Sequence, residues 1–320
     1  MIPILTPVII LAGIGLIMAV LLAIGRKAFY VEVDERIERI GDILPGVNCG
    51  GCGFPGCSGY AAALISGVAK PALCPPGGAE LALEIGNILG VEVEDIPEEV
   101  ALVACAGDHQ LAPRRADYVG VQTCLAAHSV AGGTKKCTYG CLGYASCKDA
   151  CAFDAIVMTE HGLAVVLPDR CTGCGQCVPA CPRALIRMVP KGESVHVLCR
   201  NPGKTKEVKA VCSVGCTGCQ ICNKQSPRFK MSGTVAVVDP NTEGDIPKDT
   251  SLACPQGSIF DGRLYNITDW TTNSAVRLEH QQRSMEWKKA DKERKAALRK
   301  AKAAKKERDN NNAGTKGDAQ

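Results

Sequence analysis

Hydrophobic and polar positions follow several different rhythms along this 320-residue chain. From Met1 to Gly25 there is no charge, and Ile2 to Ile24 is a nearly unbroken run of Leu, Ile, Val, Ala and Gly. At about 1.5 Å per residue that run is long enough to cross a bilayer as one helix. Pro3 and Pro7 fall in its first turns, where a missing amide donor harms a helix least. A helical rhythm follows. Val33, Ile37, Ile40 and Leu44 share one face, as do Leu81, Ile85, Ile88 and Leu89 within the segment 79–89, so each stretch predicts a helix packed on one side. The run Val235-Ala-Val-Val-Asp239 reads as a strand. From about Ala275 to Asp309, Lys, Arg, Ala and Glu dominate without a sustained apolar stripe, which predicts an exposed helix, with a disordered end from Asn310 to Gln320.

Charge orients the first helix. Arg26 and Lys27 follow the apolar run and only the terminal amine precedes it, so the positive-inside rule puts the bulk of the chain on the cytoplasmic side of the inner membrane, behind a single-pass anchor. A cleaved signal peptide is the competing reading; it would have a basic n-region and a shorter apolar core. Gly13 and Gly15 lie inside the apolar run with no strand before them, so they make no dinucleotide fingerprint. Net charge is +4 overall, yet residues 283–308 carry 12 Lys/Arg against 4 Asp/Glu. An anchored chain holds that tail beside anionic lipid, which it can bind. Nucleic acid is not an expected partner, because no aromatic interleaving or recognised module accompanies the charge.

Twenty cysteines, with only two Trp and five Phe, change the picture more than any other count. Disulfides, zinc and iron–sulfur clusters are the available chemistries, and spacing separates them. Cys49-Gly-Gly-Cys52-Gly-Phe-Pro-Gly-Cys57, followed by Cys74-Pro-Pro, brings three thiolates onto one tight loop and a fourth from nearby. Gly50, Gly51, Gly53 and Gly56 allow the backbone angles that such convergence needs and expose amides to the sulfurs, which raises the potential of a cluster held there. Zinc is the competing reading, but zinc favours two paired knuckles and this spacing gives none.

Cys171-Thr-Gly-Cys174-Gly-Gln-Cys177-Val-Pro-Ala-Cys181-Pro182 reproduces the bacterial ferredoxin run for 4Fe–4S clusters. Upstream, Cys137, Cys141, Cys147 and Cys151 form a looser version of it, making an internal repeat. In such repeats the fourth cysteine of each half serves the other half's cluster. Cys137, Cys141, Cys147 and Cys181 are therefore expected to hold one cluster, and Cys171, Cys174, Cys177 and Cys151 the next. A third run, Cys216-Thr-Gly-Cys219-Gln-Ile-Cys222, has Ser226 at its fourth position, and only Cys254-Pro255 survives of its partner half. Under the same swap those losses delete one whole cluster and spare Cys216, Cys219, Cys222 and Cys254, so four clusters are expected in all. Cys105, Cys124, Cys199 and Cys212 default to small buried hydrophobes, with Cys212 the first candidate for a substitute ligand. The five histidines, His109, His128, His161, His196 and His280, are scattered singly and suggest no site.

With the apolar run, the Cys49 to Cys57 loop and Cys137-Thr-Tyr-Gly-Cys141-Leu-Gly-Tyr-Ala-Ser-Cys147 in that order, residues 1–262 resemble the B subunit of the Rnf/Rsx electron-transport complex, a 4Fe–4S polyferredoxin. The resemblance implies a component of a membrane complex that couples electron flow between reduced ferredoxin and NAD to movement of Na+ or H+. It implies soluble ferredoxin as the electron donor and further subunits as partners. The half-lost third run and the long basic tail depart from shorter members of that family. The expected fold class is α+β: a transmembrane anchor at 1–29, a small α-rich 4Fe–4S domain at 30–100, a linker at 101–135, a two-cluster ferredoxin domain at 136–190, a degenerate one-cluster ferredoxin-like domain at 191–262, and the basic tail at 263–320. No Walker loop, Rossmann fingerprint or acid–base constellation appears, so the chain itself reads as a wire within an oxidoreductase, with no catalytic residue of its own. Two other readings keep part of this pattern: an anchored polyferredoxin serving a hydrogenase or dehydrogenase, and a zinc-stabilised basic nucleic-acid-binding protein.

Overall fold

A computed structural model describes residues 2–29, 34–93, 97–272 and 274–314. Helix α1, Ile2–Ala28, ends on the basic pair Arg26 and Lys27, which complement the negative end of its dipole. Within it Leu11–Ala28 has a mean hydropathy of 1.8 and is wholly unburied, so by length and composition this helix can cross a membrane. No other described helix meets that test.

Three helices build the next unit. In α2, Glu35–Ile43, Asp34 caps the first turn by accepting from the Arg36 amide. Helix α3 spans Cys57–Ile65 and α4 spans Gly78–Leu89. Their apolar faces meet in one core of Ile40, Leu44, Tyr60, Leu64, Leu81 and Ile85, with Ile88 and Leu89 at its edge, as the helical rhythm predicts. Val33 lies outside the described residues.

Strands then pair in a nested order, twice. Strand β1, Glu99–Val103, is antiparallel to β4, Ile186–Pro190, and between them β2, Ile156–Met158, forms a hairpin with β3, Ala164–Val166. The short helices α5, Cys124–Ser129, and α6, Ser146–Asp149, fill the interval before the hairpin. The second unit repeats this nesting. Strand β5, Val195–Val197, pairs with β8, Ile259–Asp261, around the hairpin of β6, Phe229–Ser232, and β7, Val235–Val238. Helices α7, Thr205–Val211, α8, Ile221–Gln225, and α9, Thr250–Ala253, complete it.

The stretch 101–135, which reads in sequence as a linker, carries most of β1 and all of α5. Four of the five β1 positions are buried, so the strand lacks the in–out alternation that would expose it to a pattern search. Val100, Leu102, Val189, Leu198, Phe260 and Trp270 form a core shared between the two nested units. Ala104 donates to Leu185 at 2.8 Å, extending the β1–β4 pairing, and Ala106 donates to Leu198 at 3.1 Å across the seam.

Helix α10, Ile267–Thr272, precedes the long α11, Ser274–Gly314. The start of α11 is docked rather than free: His280 and Ser284 are buried, Ser284 Oγ donates to Leu252 at 2.6 Å, and Trp287 Nε1 donates to Asp249 at 3.0 Å. Residues 292–304 are exposed, as expected of the tail. The helix continues through Asn310–Gly314, where the sequence predicts disorder, and 315–320 lie outside the described residues.

Candidate metal centres

The first sulfur nest is shaped by side chains outside the cysteine motif. Asn48 Oδ1 accepts from the Cys57 amide at 2.8 Å, closing the loop that carries Cys49 and Cys52. Tyr60, 1 % exposed, donates from its hydroxyl to Lys70 at 2.7 Å and accepts from the Leu73 amide at 3.3 Å, which fixes the turn delivering Cys74. Burial raises the Cys74 thiol, and the charges of Cys52, Cys49 and Cys57 add to the rise, so these four sulfurs face one another.

In the first nested unit, burial pushes the Cys177 thiol up to about 12, with Cys171, Cys174 and Cys151 contributing. The Ala101 amide on β1 donates to Cys171 Sγ at 3.3 Å, so the strand supplies part of the second nest's polar lining.

The third nest departs from expectation. One cavity of about 360 Å3, including its part open to solvent, is lined by Cys124, Cys141, Cys147 and Cys181. Burial pushes Cys147 up to about 12, followed by the charges of Cys141, Cys124 and Cys181. The Leu185 amide donates to Cys181 Sγ at 3.4 Å. Cys137, which spacing assigns to this group, lines a different cavity with Cys105, Cys199 and Cys212. The longer spacing of the upstream run accounts for the change: α5 slots Cys124 against α6, where its amide donates to Ser146 Oγ at 2.8 Å, and Cys137 is left one loop away.

The half-lost run keeps its nest. Burial pushes the Cys222 thiol up to about 12, and Cys254, Cys216 and Cys219 add to the shift. Helix α9 delivers Cys254, and buried Ser226 accepts from the Arg228 amide at 3.4 Å where a cysteine would otherwise stand. The two Cys-Thr-Gly-Cys turns are built alike. Gly173 and Gly218 have φ of +74° and +65°, and a Cβ on either would sit 2.5 Å from a carbonyl oxygen, of Glu99 or Thr234. Only glycine satisfies both demands.

The first three nests adjoin one another. A Cβ at Gly51 would lie 2.9 Å from the Cys174 carbonyl, so the loop of the first nest rests on that of the second. Cys147 is acted on by Cys177, which brings the second beside the third. Among the described residues no three His, Cys, Asp or Glu side chains converge tightly enough to hold a single ion. A cubane takes four thiolates, the number each nest supplies.

Comparison with known proteins agrees. A model described as "Putative Fe-S cluster" matches residues 44–76, and one described as "4Fe-4S binding domain" matches residues 164–187. The chain is 41 % identical over 255 residues, 78 % of this chain and 95 % of the other, to the B subunit of the ion-translocating oxidoreductase complex of Methanosarcina acetivorans. It belongs to that B-subunit family. A second member, the B subunit of the proton-translocating ferredoxin:NAD(+) oxidoreductase complex of Clostridium ljungdahlii, is 39 % identical over 78 % of this chain and 90 % of its own length. The corresponding B subunit of the Na(+)-translocating ferredoxin:NAD(+) oxidoreductase complex of Acetobacterium woodii is 46 % identical over 67 % of this chain, a match that spans 64 % of the Acetobacterium protein. Both iron–sulfur matches fall on sulfur nests of this family member, the first covering Cys49 to Cys74 and the second Cys171 to Cys181.

Proposed function

We propose that this subunit relays electrons from reduced ferredoxin through 4Fe–4S clusters within an ion-translocating ferredoxin:NAD oxidoreductase complex, anchored by α1 as a single pass with its cluster domains on the cytoplasmic side. The observation that carries the reading is the gathering of cysteines into groups of four, the first three of them side by side. Cys49, Cys52, Cys57 and Cys74 hold the first cluster; Cys151, Cys171, Cys174 and Cys177 the second; Cys124, Cys141, Cys147 and Cys181 the third; and Cys216, Cys219, Cys222 and Cys254 a further one in the second nested unit. The doubled strand nesting supports two ferredoxin-like units in tandem, the second keeping one cluster of its own.

The clusters supply the redox chemistry. The chain's residues do the rest: they furnish thiolates and aim amides at sulfur to stabilise the added electron. A proton-transferring or substrate-transforming site is not needed for such a relay, since the subunit acts as one component of an oxidoreductase.

Low-temperature EPR of the reduced, detergent-solubilised full chain tests the ligand sets. Cys74→Ser, Cys177→Ser and Cys254→Ser should each delete a different signal and about four irons. Variants that all lose the same signal, or a wild-type protein without iron, would refute the assignment.

A further inference from the structure

The four cysteines left over from these sets are brought together by the fold. Cys105, Cys137, Cys199 and Cys212 line one cavity, as Cys124, Cys141, Cys147 and Cys181 line another. A point one bond from the Gly107 Cα lies 3.1 Å from Cys212 Sγ and 3.9 Å from Cys105 Sγ, so those sulfurs flank a residue without a side chain. Cys137 and Cys212 share a packed cluster with Ala112. Cys105 acts electrostatically on Cys137, Cys199 and Cys212 alike, which places it among all three.

The arrangement is repeated in the chain. Cys105 stands two residues after β1, and Cys199 two residues after β5. Cys137 precedes Cys141 by four positions, and Cys212 precedes Cys216 by four. Each nested unit thus contributes the same two cysteines to their common seam, a duplication that isolated buried thiols would not require.

The surroundings suit a buried anion. Polar hydrogens point at three of the sulfurs: the Cys141 amide lies 3.4 Å from Cys105 Sγ, the Asn201 amide 3.5 Å from Cys199 Sγ, and Asn201 Nδ2 3.6 Å from Cys137 Sγ. Lys135 is fully buried, donates to the Gly107 carbonyl, and acts on Cys212 and Cys141. Arg183 donates to the carbonyls of Cys137, at 3.0 Å, and of Gly140. Two cations beside four sulfurs would be costly around neutral thiols, yet they offset the negative charge of a thiolate-bound cluster.

We infer that Cys105, Cys137, Cys199 and Cys212 ligate a fifth 4Fe–4S cluster, which bridges the two ferredoxin-like units and completes an unbroken electron path along the subunit. The inference rests on the reading of the chain as an iron–sulfur relay. Its neighbours are already in reach: Cys105 Sγ accepts from the Cys141 amide of the third nest, and Cys199 accepts from the Cys216 amide of the last. Without it, the Cys216 nest has no neighbouring cluster across the seam. With it, one electron leaves a reduced cluster on one side and reduces the cluster on the other, with no atom transferred. All 20 cysteines then fall into five sets of four.

The test is iron, sulfide and zinc content of the full chain purified from membranes without oxygen, beside a Cys199→Ser/Cys212→Ser variant and a Cys254→Ser variant. About twenty irons in the wild type and about sixteen in the double variant are expected, with the signal deleted by Cys254→Ser still present in the double variant. In rapid mixing with a chemical reductant of large size, the double variant should also reduce the Cys216 cluster and the Cys49 cluster as two uncoupled groups. Sixteen irons in both proteins, or sixteen irons with one zinc, would overturn the fifth cluster while leaving the relay intact. An iron-free wild type would overturn the relay itself. Should the double variant fail to accumulate, the wild-type count alone decides between sixteen and twenty.

Discussion

Single residues set the separation of the clusters. Gly51 is the clearest case, because a Cβ there would lie 2.9 Å from the Cys174 carbonyl oxygen, 3.1 Å from its Cβ and 3.2 Å from its Cα. Most of those atoms are backbone and cannot rotate away. Gly51→Ala should therefore wedge the first nest from the second, costing roughly 1–3 kcal/mol of docking while leaving both ligand sets whole. Each cluster would keep its own EPR signal, but the magnetic interaction between the two reduced clusters should weaken; an unchanged interaction would show that this contact does not fix their distance. At this scale the sequence was informative wherever ligands sit close together in the chain. Cys49 to Cys57, Cys171 to Cys177 and Cys216 to Cys222 are legible because one short loop supplies three sulfurs. Cys105 and Cys212 are 107 positions apart, so only tertiary structure makes them neighbours, and Cys124 replaces Cys137 through the placement of a short helix that spacing does not encode. One trace was readable: the Cys-x3-Cys interval occurs at both Cys137 and Cys212, each just ahead of a cluster run.

Among the elements, α11 shows how a charged helix can be half tail and half core. Its docked face is short and largely polar, so it does not stand out in the sequence; His280, Ser284 and Trp287 carry it where α11 meets α9 and α10. The His280 ring meets Trp270 edge-on at 4.5 Å and Tyr265 at 5.6 Å. Burial pulls its pKa down to about 4, helped by Arg283 and Lys288, so the docked helix holds a neutral imidazole. The unfolded chain, titrating near the ordinary 6.5, binds that proton first as pH falls. Stability from this residue is therefore complete above about pH 6.5, declines between 6.5 and 4, and is lost below, a total on the order of 3 kcal/mol. His280→Phe should flatten that dependence: between pH 7.5 and 5.5 its thermal midpoint should fall less than the wild type's, by the equivalent of about 1 kcal/mol. Parallel curves would mean that His280 does not titrate with unfolding. His196 on β5 shifts in the same direction through burial, so the comparison between variant and wild type, rather than the wild-type slope, isolates α11.

Taken whole, the molecule has an apolar end, a sulfur-lined middle and a basic end. The apolar helix and the basic run were both legible from composition, because neither depends on partners elsewhere in the chain; the middle was legible as nests but not as a continuous path, which depends on how β1 and β5 share one seam. The basic end has a direction imposed on it by the fold. Trp287 is tied to Asp249 at 3.0 Å, and beyond it residues 292–304 are exposed, so the charge is presented as a rod leaving the cluster domains. Residues 283–308 carry a surplus of eight positive charges, and the remainder of the chain is net negative, so any attraction to an acidic surface acts on the rod. At about 1 kcal/mol per basic residue close to an anionic leaflet, a few such contacts suffice for measurable binding, and added salt should weaken it. A chain lacking residues 1–29 should float with vesicles containing acidic lipid, remain in solution with neutral vesicles, and lose its binding when cut after Trp287, a cut that spares every core contact described for α11. Equal flotation of the cut and uncut chains would assign the attraction to the cluster domains, and equal flotation on neutral vesicles would assign it to apolar surface.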